Sequence, residues 1–388
     1  MSSFKKTWNR NPLAESTRYE AISSLGEGTF GAVYHARNVD TGGWFTVSQN
    51  QRMNNAIMVM FCLGEEVAIK LISLGDRFYR KYVEREILNH RQLMHPHIVA
   101  FKEVFVTSKH LAIVMEYVGG GNLQTWVEKH RSLPEWQARC FFQQLILALH
   151  YSHKSLGIAH RDIKLGNILL NDKYQVPILK LCDFGYSKNS WQGSLPKTRV
   201  GTAAYISPEV ARANVSTVQY DTEKADVWSS AVTLYCMLAG RYPFTDNGKV
   251  PQLHTIKALT DQHVDEALTA LSEASPGCKE LLRDMLRIRP EERISLDGIM
   301  ANQWYMQYLP DISNMVSRSA SHLQSDEEIL RVLEDAEKNS KHISDAVKAN
   351  TEFDDEAAMQ VADEILQDLD DEDATETNMR DDDTLIPT

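Results

Sequence analysis

The stretch His160-Arg161-Asp162-Ile163-Lys164-Leu165-Gly166-Asn167 has the pattern HRDxKxxN, in which an aspartate precedes an asparagine by five residues. An aspartate in this pattern is placed to accept the proton of a hydroxyl group that attacks a phosphate. The asparagine is placed to hold a magnesium ion through its amide oxygen. The stretch therefore indicates phosphoryl transfer, with Asp162, Lys164 and Asn167 as candidate catalytic residues and Asn167 as a candidate metal ligand.

Two further motifs flank this stretch in the order that such chemistry requires. Asp183-Phe184-Gly185 follows sixteen residues after Asn167 and offers Asp183 as a second magnesium ligand. Far upstream, Gly26-Glu27-Gly28-Thr29-Phe30-Gly31-Ala32-Val33 places glycines where the backbone must fold closely over phosphates. Dinucleotide-binding folds use the same glycine spacing before a helix, but here Tyr34-His35-Ala36 continues an alternating strand.

A lysine and a glutamate complete the set. Lys70, in Val67-Ala68-Ile69-Lys70, is predicted to contact the α and β phosphates of a nucleotide. Glu86 lies on a helical stretch and is predicted to pair with Lys70. A single Asp, Lys or Gly pair is usually a solvated charge or a turn. Five motifs in the required order favour a kinase over such isolated charges and turns. The alternative is a pseudokinase scaffold that binds partners through the acidic tail. The loss of Lys70, Asp162, Asn167 or Asp183 would indicate it, and all four are present.

Residues 19–309 resemble the eukaryotic protein kinases of the calmodulin-dependent-kinase-like group, and more narrowly the plant SNF-related kinases of the second subclass, which respond to osmotic stress and abscisic acid. The segments that carry this resemblance are Arg85-Glu86-Ile87-Leu88-Asn89-His90-Arg91, Leu111-Ala112-Ile113-Val114-Met115-Glu116-Tyr117, His160 to Leu165, Leu181 to Lys188 and Ala225-Asp226-Val227-Trp228-Ser229.

The resemblance implies an α+β, two-lobed fold, with an antiparallel-sheet small lobe and a larger helical lobe. It implies a non-specific protein serine/threonine kinase that uses ATP and Mg2+, which Mn2+ can replace. Lys164 and Thr202 match the pattern for serine/threonine acceptors. Glu116-Tyr117-Val118 would be the hinge that binds adenine, with Met115 behind it. The implied ATP-binding residues are Leu25, Gly26, Gly28, Gly31, Val33, Ala68, Lys70, Glu86, Met115, Glu116, Val118, Leu169 and Asp183.

The resemblance also implies regulation. Ser194 and Thr198 fall at two activation phosphosites for upstream kinases, and Arg161 would pair with a phosphate on Thr198. Gln324-Ser325-Asp326-Glu327-Glu328-Ile329-Leu330 resembles the subclass's regulatory box, which packs as a helix on the small lobe. We expect this helix to run from about Asp326 to Lys338 and to support Glu86. The acidic tail resembles a segment that binds type-2C protein phosphatases. Asp226 matches a residue that braces the catalytic-loop backbone, and Arg293 matches one that pairs with Glu209. Ser207 stands where alanine is usual before Pro208-Glu209.

Charge is concentrated at the C-terminal end of the chain. Residues 351–388 hold 15 acidic side chains and one Arg, whereas the remaining 350 residues have a net charge of +2. This pattern predicts a near-neutral globule with an acidic tail, and it disfavours nucleic-acid partners. No run of 18 apolar residues occurs, and the first residues lack a secretory signal, so we expect no membrane partner and a cytoplasmic or nuclear location, or both.

The sequence predicts four regions: a flexible N-terminus (1–18), a kinase domain (19–309), a linker with a regulatory helix (310–345) and an acidic, disordered tail (346–388). The kinase domain divides into a small lobe (19–118) and a large lobe (119–309). Apolar patterns predict a small-lobe strand over Ile98-Val99-Ala100-Phe101 and a buried central helix of the large lobe from Asp226 to Leu238. The small lobe carries an unusual insert (43–64) with eight consecutive apolar residues, Ala56 to Leu63. This insert is either a natural partner-binding element or a translated non-coding segment or sequence error, and we favour the second reading.

Overall fold

A computed structural model of the chain describes residues 13–28, 31–40, 64–75, 80–171, 177–184, 188–189, 203–212, 220–246, 248–309 and 323–350. Over these ranges the chain forms a sheet-rich small lobe and a helical large lobe. The predicted α+β, two-lobed fold is therefore confirmed. The insert lies outside the described residues except for Gly64, and the phosphosites Ser194 and Thr198 lie outside them entirely.

The small lobe is built on one antiparallel sheet, whose strands follow the order β1-β2-β3-β5-β4. The strands are β1 (Tyr19–Gly28), β2 (Gly31–Asn38), β3 (Glu65–Ser73), β4 (Phe101–Val106) and β5 (His110–Glu116). Side chains of β3 alternate between the two faces, and both faces are covered. One apolar cluster contains Ile72 and Ile113, and the other contains Ile69 and Val114.

The start of β4 corrects the sequence-based prediction, which placed a strand over Ile98-Val99-Ala100-Phe101. The strand instead begins at Phe101 and continues to Val106. Ile98 forms a bridge with Leu181, and the Val99 amide donates to the Leu181 carbonyl at 2.9 Å. The apolar run 98–99 is thus buried as a connector to the large lobe, because Leu181 offers it a partner there.

The end of the predicted flexible N-terminus is packed against the small lobe. Leu13 is 1% exposed and joins the apolar cluster of Ile69 and Val114. Glu15 accepts hydrogen bonds from the Ser108 amide at 2.7 Å and hydroxyl at 2.5 Å. Tyr19 donates to Glu103 on the edge strand β4. The expectation of a loose segment is thereby corrected for residues 13–18, because one buried leucine and one carboxylate attach them to the sheet.

Helices account for most of the large lobe. The helices of the large lobe are α2 (Leu123–His130), α3 (Glu135–His150), α4 (Pro208–Arg212), α5 (Thr222–Ala239), α6 (Leu253–Lys257), α7 (Asp261–Thr269), α8 (Pro276–Met285), α9 (Leu296–Met300) and α10 (Gln303–Met306). The small lobe contains α1 (Arg80–Gln92), and α11 (Asp326–Asn350) follows the large lobe in the chain. Short strands β6 (Ile158–Ala159), β7 (Ile168–Asn171), β8 (Ile178–Leu181) and β9 (Lys188–Asn189) frame the catalytic loop.

Helix α5 is the buried centre of the large lobe. It begins at Thr222, four residues before the predicted Asp226, because the Asp221 carboxylate accepts from the amides of Glu223 and Lys224. It ends at Gly240, whose φ of 64° is left-handed. A side chain at Gly240 would place its Cβ 1.6 Å from the Arg131 carbonyl oxygen, so only glycine fits.

An ion pair predicted from the sequence joins two ends of the large lobe. Arg293 donates to both carboxylate oxygens of Glu209, at 2.7 and 3.0 Å, and its guanidinium lies 5.1 Å from the Trp228 ring centroid. Two parallel bonds of this kind fix position as well as charge. The predicted pairing is confirmed, and it holds α4 beside the core.

Helix α11 packs on the small lobe, against α1, β4 and β5. Ile329, Leu333 and Ala336 are fully buried in the cluster that contains Ile87 of α1. The predicted docking of a helix over 326–338 is confirmed, and the helix continues to Asn350. The boundary expected between residues 345 and 346 therefore falls inside a helix. Within the described residues, no helix combines the length and apolarity needed to cross a membrane.

Candidate active site

Lys70 and Glu86 form a buried ion pair between β3 and α1. The Lys70 Nζ donates to the Glu86 Oε1 at 2.6 Å, and both side chains are about nine-tenths buried. The Asp183 Oδ1 lies 3.8 Å from the same nitrogen. Burial opposes the lysine charge, but the carboxylates of Glu86 and Asp183 outweigh it and raise the Lys70 pKa. Lys70 is therefore a fixed cation that faces Asp183.

The catalytic loop holds its aspartate in one orientation. Asp162 is 4% exposed. Lys164 Nζ donates to its Oδ2 at 2.7 Å, and Asn167 Nδ2 donates to the same oxygen at 2.9 Å. Asn167 Nδ2 also donates to the Asp162 main-chain carbonyl at 2.9 Å. The three candidate catalytic residues thus form one hydrogen-bonded unit.

A short hairpin brings the two candidate metal ligands to the same end of a pair of strands. Asn167 directly precedes β7, and Cys182-Asp183 directly follows β8. Ile168 pairs with Leu181 in this antiparallel ladder, and the Cys182 amide donates to the Asn167 carbonyl at 3.0 Å. The amide nitrogen of Asn167 binds Asp162, so its oxygen is the atom suited to a metal. An amide oxygen and a carboxylate are the donor types that Mg2+ prefers.

The backbone of the catalytic loop is held from below by Asp226, as the sequence predicted. Its Oδ2 accepts from the His160 amide at 2.9 Å, and its Oδ1 accepts from the Arg161 amide at 2.8 Å. His153 Nε2 lies 2.7 Å from Oδ2. Burial of Asp226 favours the neutral acid, but these hydrogen bonds prevail and lower its pKa. An ionised Asp226 can hold Arg161 at its strained φ of 71°.

A column of four rings connects these parts. Its ring-to-ring distances are 5.9 Å between Phe101 and His90, 6.0 Å between His90 and Phe184, and 4.6 Å between Phe184 and His160. His90 Nε2 lies 2.7 Å from the Val99 carbonyl, which can only accept, so this nitrogen carries the hydrogen. Burial lowers the His90 pKa and keeps the ring neutral. The column links α1, which carries Glu86, to the residue beside Asp183.

The sequence did not assign a role to His90 or His153. The sequence does contain a signal that His90 lies near the site. His90 follows Glu86 by four residues, so both side chains lie on the same face of α1. No sequence signal distinguishes His153, because its partner Asp226 is 73 residues away.

The glycine-rich segment lies across the β1–β2 hairpin. Gly26 pairs with Val33 and Gly28 with Gly31, and Val33 in turn pairs with Lys70. Paired residues in adjacent strands present their side chains on the same face, so Val33 and Lys70 share one face of the sheet. Gly31 has a φ of 153°, and a Cβ there would lie 1.9 Å from the Leu71 carbonyl oxygen. Close backbone packing therefore excludes any larger residue.

The remaining predicted nucleotide contacts occupy the strands on both sides of the hinge. Ala68 pairs with Met115, and Glu116 ends β5. Glu116 uses its carboxylate to accept from Lys180 Nζ at 2.9 Å and from the Ala100 amide at 3.1 Å. Leu25 is 48% exposed, whereas Val118 is buried, and Leu169 is half-buried on β7.

Cys182 does not have the surroundings of a reactive thiol. Its Sγ donates to the Asn167 carbonyl at 3.3 Å, and burial raises the thiol pKa well above its ordinary value. A thiol that stays protonated is a poor nucleophile. Cys182 therefore packs as a small, half-buried side chain.

Comparisons with known proteins agree with this site. The protein kinase domain family matches residues 58–305, a match that begins within the insert and lies downstream of the glycine-rich segment. The fold and site define a protein kinase, and the chain belongs to the protein kinase family.

The similar curated proteins are serine/threonine-protein kinases. SRK2C of Arabidopsis thaliana is 39% identical over 83% of this chain and 85% of its own length. SRK2A of Physcomitrium patens is 40% identical over 84% and 86%, and SAPK3 of Oryza sativa subsp. japonica is 40% identical over 82% and 89%. The predicted resemblance and the predicted serine/threonine kinase activity are confirmed. The pseudokinase alternative is not supported.

Proposed function

We propose that this kinase transfers the γ-phosphate of ATP, in the presence of Mg2+ or Mn2+, to serine and threonine hydroxyls of protein substrates. The observation that carries the proposal is the juxtaposition of two units, Lys70–Glu86–Asp183 and Asp162–Lys164–Asn167. The β7–β8 hairpin joins them, because Asn167 directly precedes its first strand and Asp183 lies just after its second. Magnesium supplies positive charge to the phosphates. Asn167 and Asp183 would hold it, because their oxygens are hard donors.

Each unit has a separate task. Lys70, held by Glu86, binds the α and β phosphates as a fixed cation. Asp162 orients the substrate hydroxyl and accepts its proton, and Lys164 neutralises the phosphoryl group that moves. Such pre-positioned groups need little reorganisation during the reaction, so alignment and charge neutralisation account for the rate. Leu25, Gly26, Gly28, Gly31, Val33, Ala68, Met115, Val118 and Leu169 would enclose the nucleotide.

Substitution of Asp162 by asparagine tests this assignment. Asp162→Asn should lower turnover by about three orders of magnitude or more while ATP still binds, because only the proton acceptor is lost. Phosphate incorporation into a serine/threonine peptide library, together with ATP binding by calorimetry, measures the two effects. Asp265→Asn, an exposed carboxylate on α7, is the matched control. Unchanged turnover in Asp162→Asn would refute the assigned role.

We further propose that the kinase acts in osmotic or related stress signalling, under upstream kinases and type-2C protein phosphatases. Similarity to the SRK2 and SAPK kinases supports this placement, and the net charge of −14 over residues 351–388 supports the tail as the phosphatase-binding segment. A cytoplasmic or nuclear location would suit these partners. Co-precipitation of a type-2C phosphatase with the full chain, and its loss after truncation at Asn350, is the expected result.

A further inference from the structure

A small cavity lies between the catalytic loop, the residues that lead into α4 and the first turns of α5. Its volume is about 20 Å³, and its lining includes Arg161, Asp162, Ser207, Tyr220, Asp226 and Ser229. On this measure one water molecule needs about 10–15 Å³. The cavity therefore has room for a water molecule.

Ser207 brings an unusual polar atom to this cavity. The residue is 1% exposed, and its hydroxyl has no hydrogen-bond partner among the residues that the structure describes. A serine that precedes a helix commonly accepts from an amide of the first turn, but this hydroxyl does not bind α4 in that way. A buried hydroxyl without a partner is unfavourable. An alanine at this position would avoid this cost.

The charges around the cavity select a neutral ligand. The lining carries the acidic Asp162 and Asp226 and the basic Arg161, so neither a cation nor an anion suits all of its groups. Arg161 Nε donates to the Tyr220 hydroxyl at 3.0 Å, so both residues present polar groups at the same wall. A ligand that both donates and accepts hydrogen bonds satisfies this mixture, and water does so within the available volume.

We infer that a water molecule in this cavity bonds to the Ser207 hydroxyl and connects it to the Arg161–Tyr220 pair. Ser207 is then a positioning residue, because it ties the segment before Pro208 to the catalytic loop beside Asp162. The loop is strained at Arg161, so an added tether on that residue restricts its motion. The catalytic part of this inference rests on the proposed function, whereas the water site itself does not.

Substitution of Ser207 by alanine in the full chain tests the inference. If the water binds Ser207, then Ser207→Ala should lower the melting temperature by about 2 °C, since the water loses a partner. It should also lower kcat about threefold, with the KM for ATP unchanged, because the loop near Asp162 is less restrained. Tyr220→Phe should give a similar loss, and the two substitutions together should cost less than their sum, because both act through one water.

A crystal structure that shows ordered water gives the direct readout. Density for a water within hydrogen-bond distance of the Ser207 hydroxyl in the wild type, lost in Ser207→Ala, is the expected result. A higher melting temperature for Ser207→Ala, or a hydroxyl bonded to the Val210 amide, would overturn the water site. Unchanged kcat with the water present would overturn the positioning role alone. Failure of the proposed function would instead appear as unchanged turnover in Asp162→Asn.

Discussion

The side-chain amide of Gln324 pairs with both backbone groups of Val104, as a residue of an added strand would. The Val104 amide donates to Gln324 Oε1 at 2.7 Å, and Gln324 Nε2 donates to the Val104 carbonyl at 2.9 Å. Val104 lies on β4, the outermost strand on this side of the sheet among the described residues, so its outward backbone groups face no neighbouring strand there. Arg91, in the last turn of α1, donates to the Gln324 carbonyl at 2.5 Å and pairs with Asp326. Gln324 thus attaches the start of α11 to both the sheet and α1.

The first prediction follows from this attachment. Truncation after Pro310 should lower kinase activity strongly, because removal of α11 exposes the apolar cluster that contains Ile87, next to Glu86. Burial of each large apolar side chain contributes about 1.5–3 kcal/mol, so several such contacts hold α1 in place. Truncation after Asn350 should leave activity unchanged. Peptide phosphorylation by the two truncated proteins measures the effect. Full activity in the protein truncated after Pro310 would contradict a supporting role for α11.

Gln324→Ala is the finer test of the same contact. It should increase hydrogen exchange in the first turns of α11 and reduce activity several-fold, since two bonds to the sheet edge are lost. Lys338→Ala, whose side chain is 67% exposed, is the matched control on the same helix. Equal exchange in the two variants would show that apolar packing alone holds the helix.

The second prediction concerns Thr198. Thr198→Ala should leave a folded and weakly active enzyme, because a phosphate on Thr198 would add a charge-assisted bond to Arg161 and order the activation segment. Arg161 is already held through its amide by Asp226 and through Nε by Tyr220, so the catalytic loop should keep its shape in this variant. Activity before and after phosphatase treatment measures the effect. If Thr198→Ala and Ser194→Ala both match the wild type, activation has another cause.

Contacts between motif residues could be predicted from the sequence, because the two partners are close in the chain or both belong to recognisable motifs. Lys70 with Glu86, Asp226 with the catalytic loop, and Arg293 with Glu209 all lie where the pattern placed them. Lys70–Glu86 and Arg293–Glu209 unite opposite charges, whereas the Asp226 carboxylate accepts from two backbone amides. A pattern of charges at fixed intervals can reveal such pairs.

Contacts that depend on tertiary packing could not be predicted in this way. Gln324 and Val104 are 220 residues apart, and a glutamine carries no charge that would identify its partner. The burial of Leu13 was likewise hidden, because one leucine in a polar stretch resembles a surface residue until the sheet face it covers is known. The start of β4 was misplaced because buried connectors and strands share apolar composition.

The third prediction is that the insert is dispensable. Asn38 and Glu65 form the last pair of the β2–β3 ladder, so the insert leaves the sheet at the closed end of a hairpin. A deletion that joins Gly42 to Glu65 leaves the four residues 39–42 between these partners, a common hairpin loop length. The variant without the insert should be at least as soluble and active as the full chain. The deletion removes eight consecutive apolar residues, which favour aggregation when they are exposed. Sedimentation and peptide phosphorylation measure both properties, and loss of activity in a folded deletion would assign the insert a function.

The last prediction concerns substrate choice. The resemblance to the calmodulin-dependent-kinase-like group implies that two carboxylates would bind an Arg three residues before the target. The corresponding positions in this chain are Asn122 and Gly166. Asn122 instead caps α2, where its Oδ1 accepts from the Thr125 amide at 2.9 Å. Without the carboxylates an incoming guanidinium loses two charged partners, each of which contributes about 1.5–3 kcal/mol when desolvated. We therefore expect weak selection for that upstream Arg.

Glutamate at both positions should sharpen this selection. A Cβ at Gly166 would meet no atom within 4 Å, so the first atom of a side chain fits there without displacement. At position 122 the loss of the cap costs about 1 kcal/mol of stability. Glutamine at both positions is the matched control, because it has the same size and loses the same cap but adds no charge. A positional peptide library on the wild type, the double Glu variant and the double Gln variant separates charge from shape. Strong Arg selection by the wild type would show that other acidic residues bind the guanidinium, whereas equal selection by the Glu and Gln variants would show that neither position faces it.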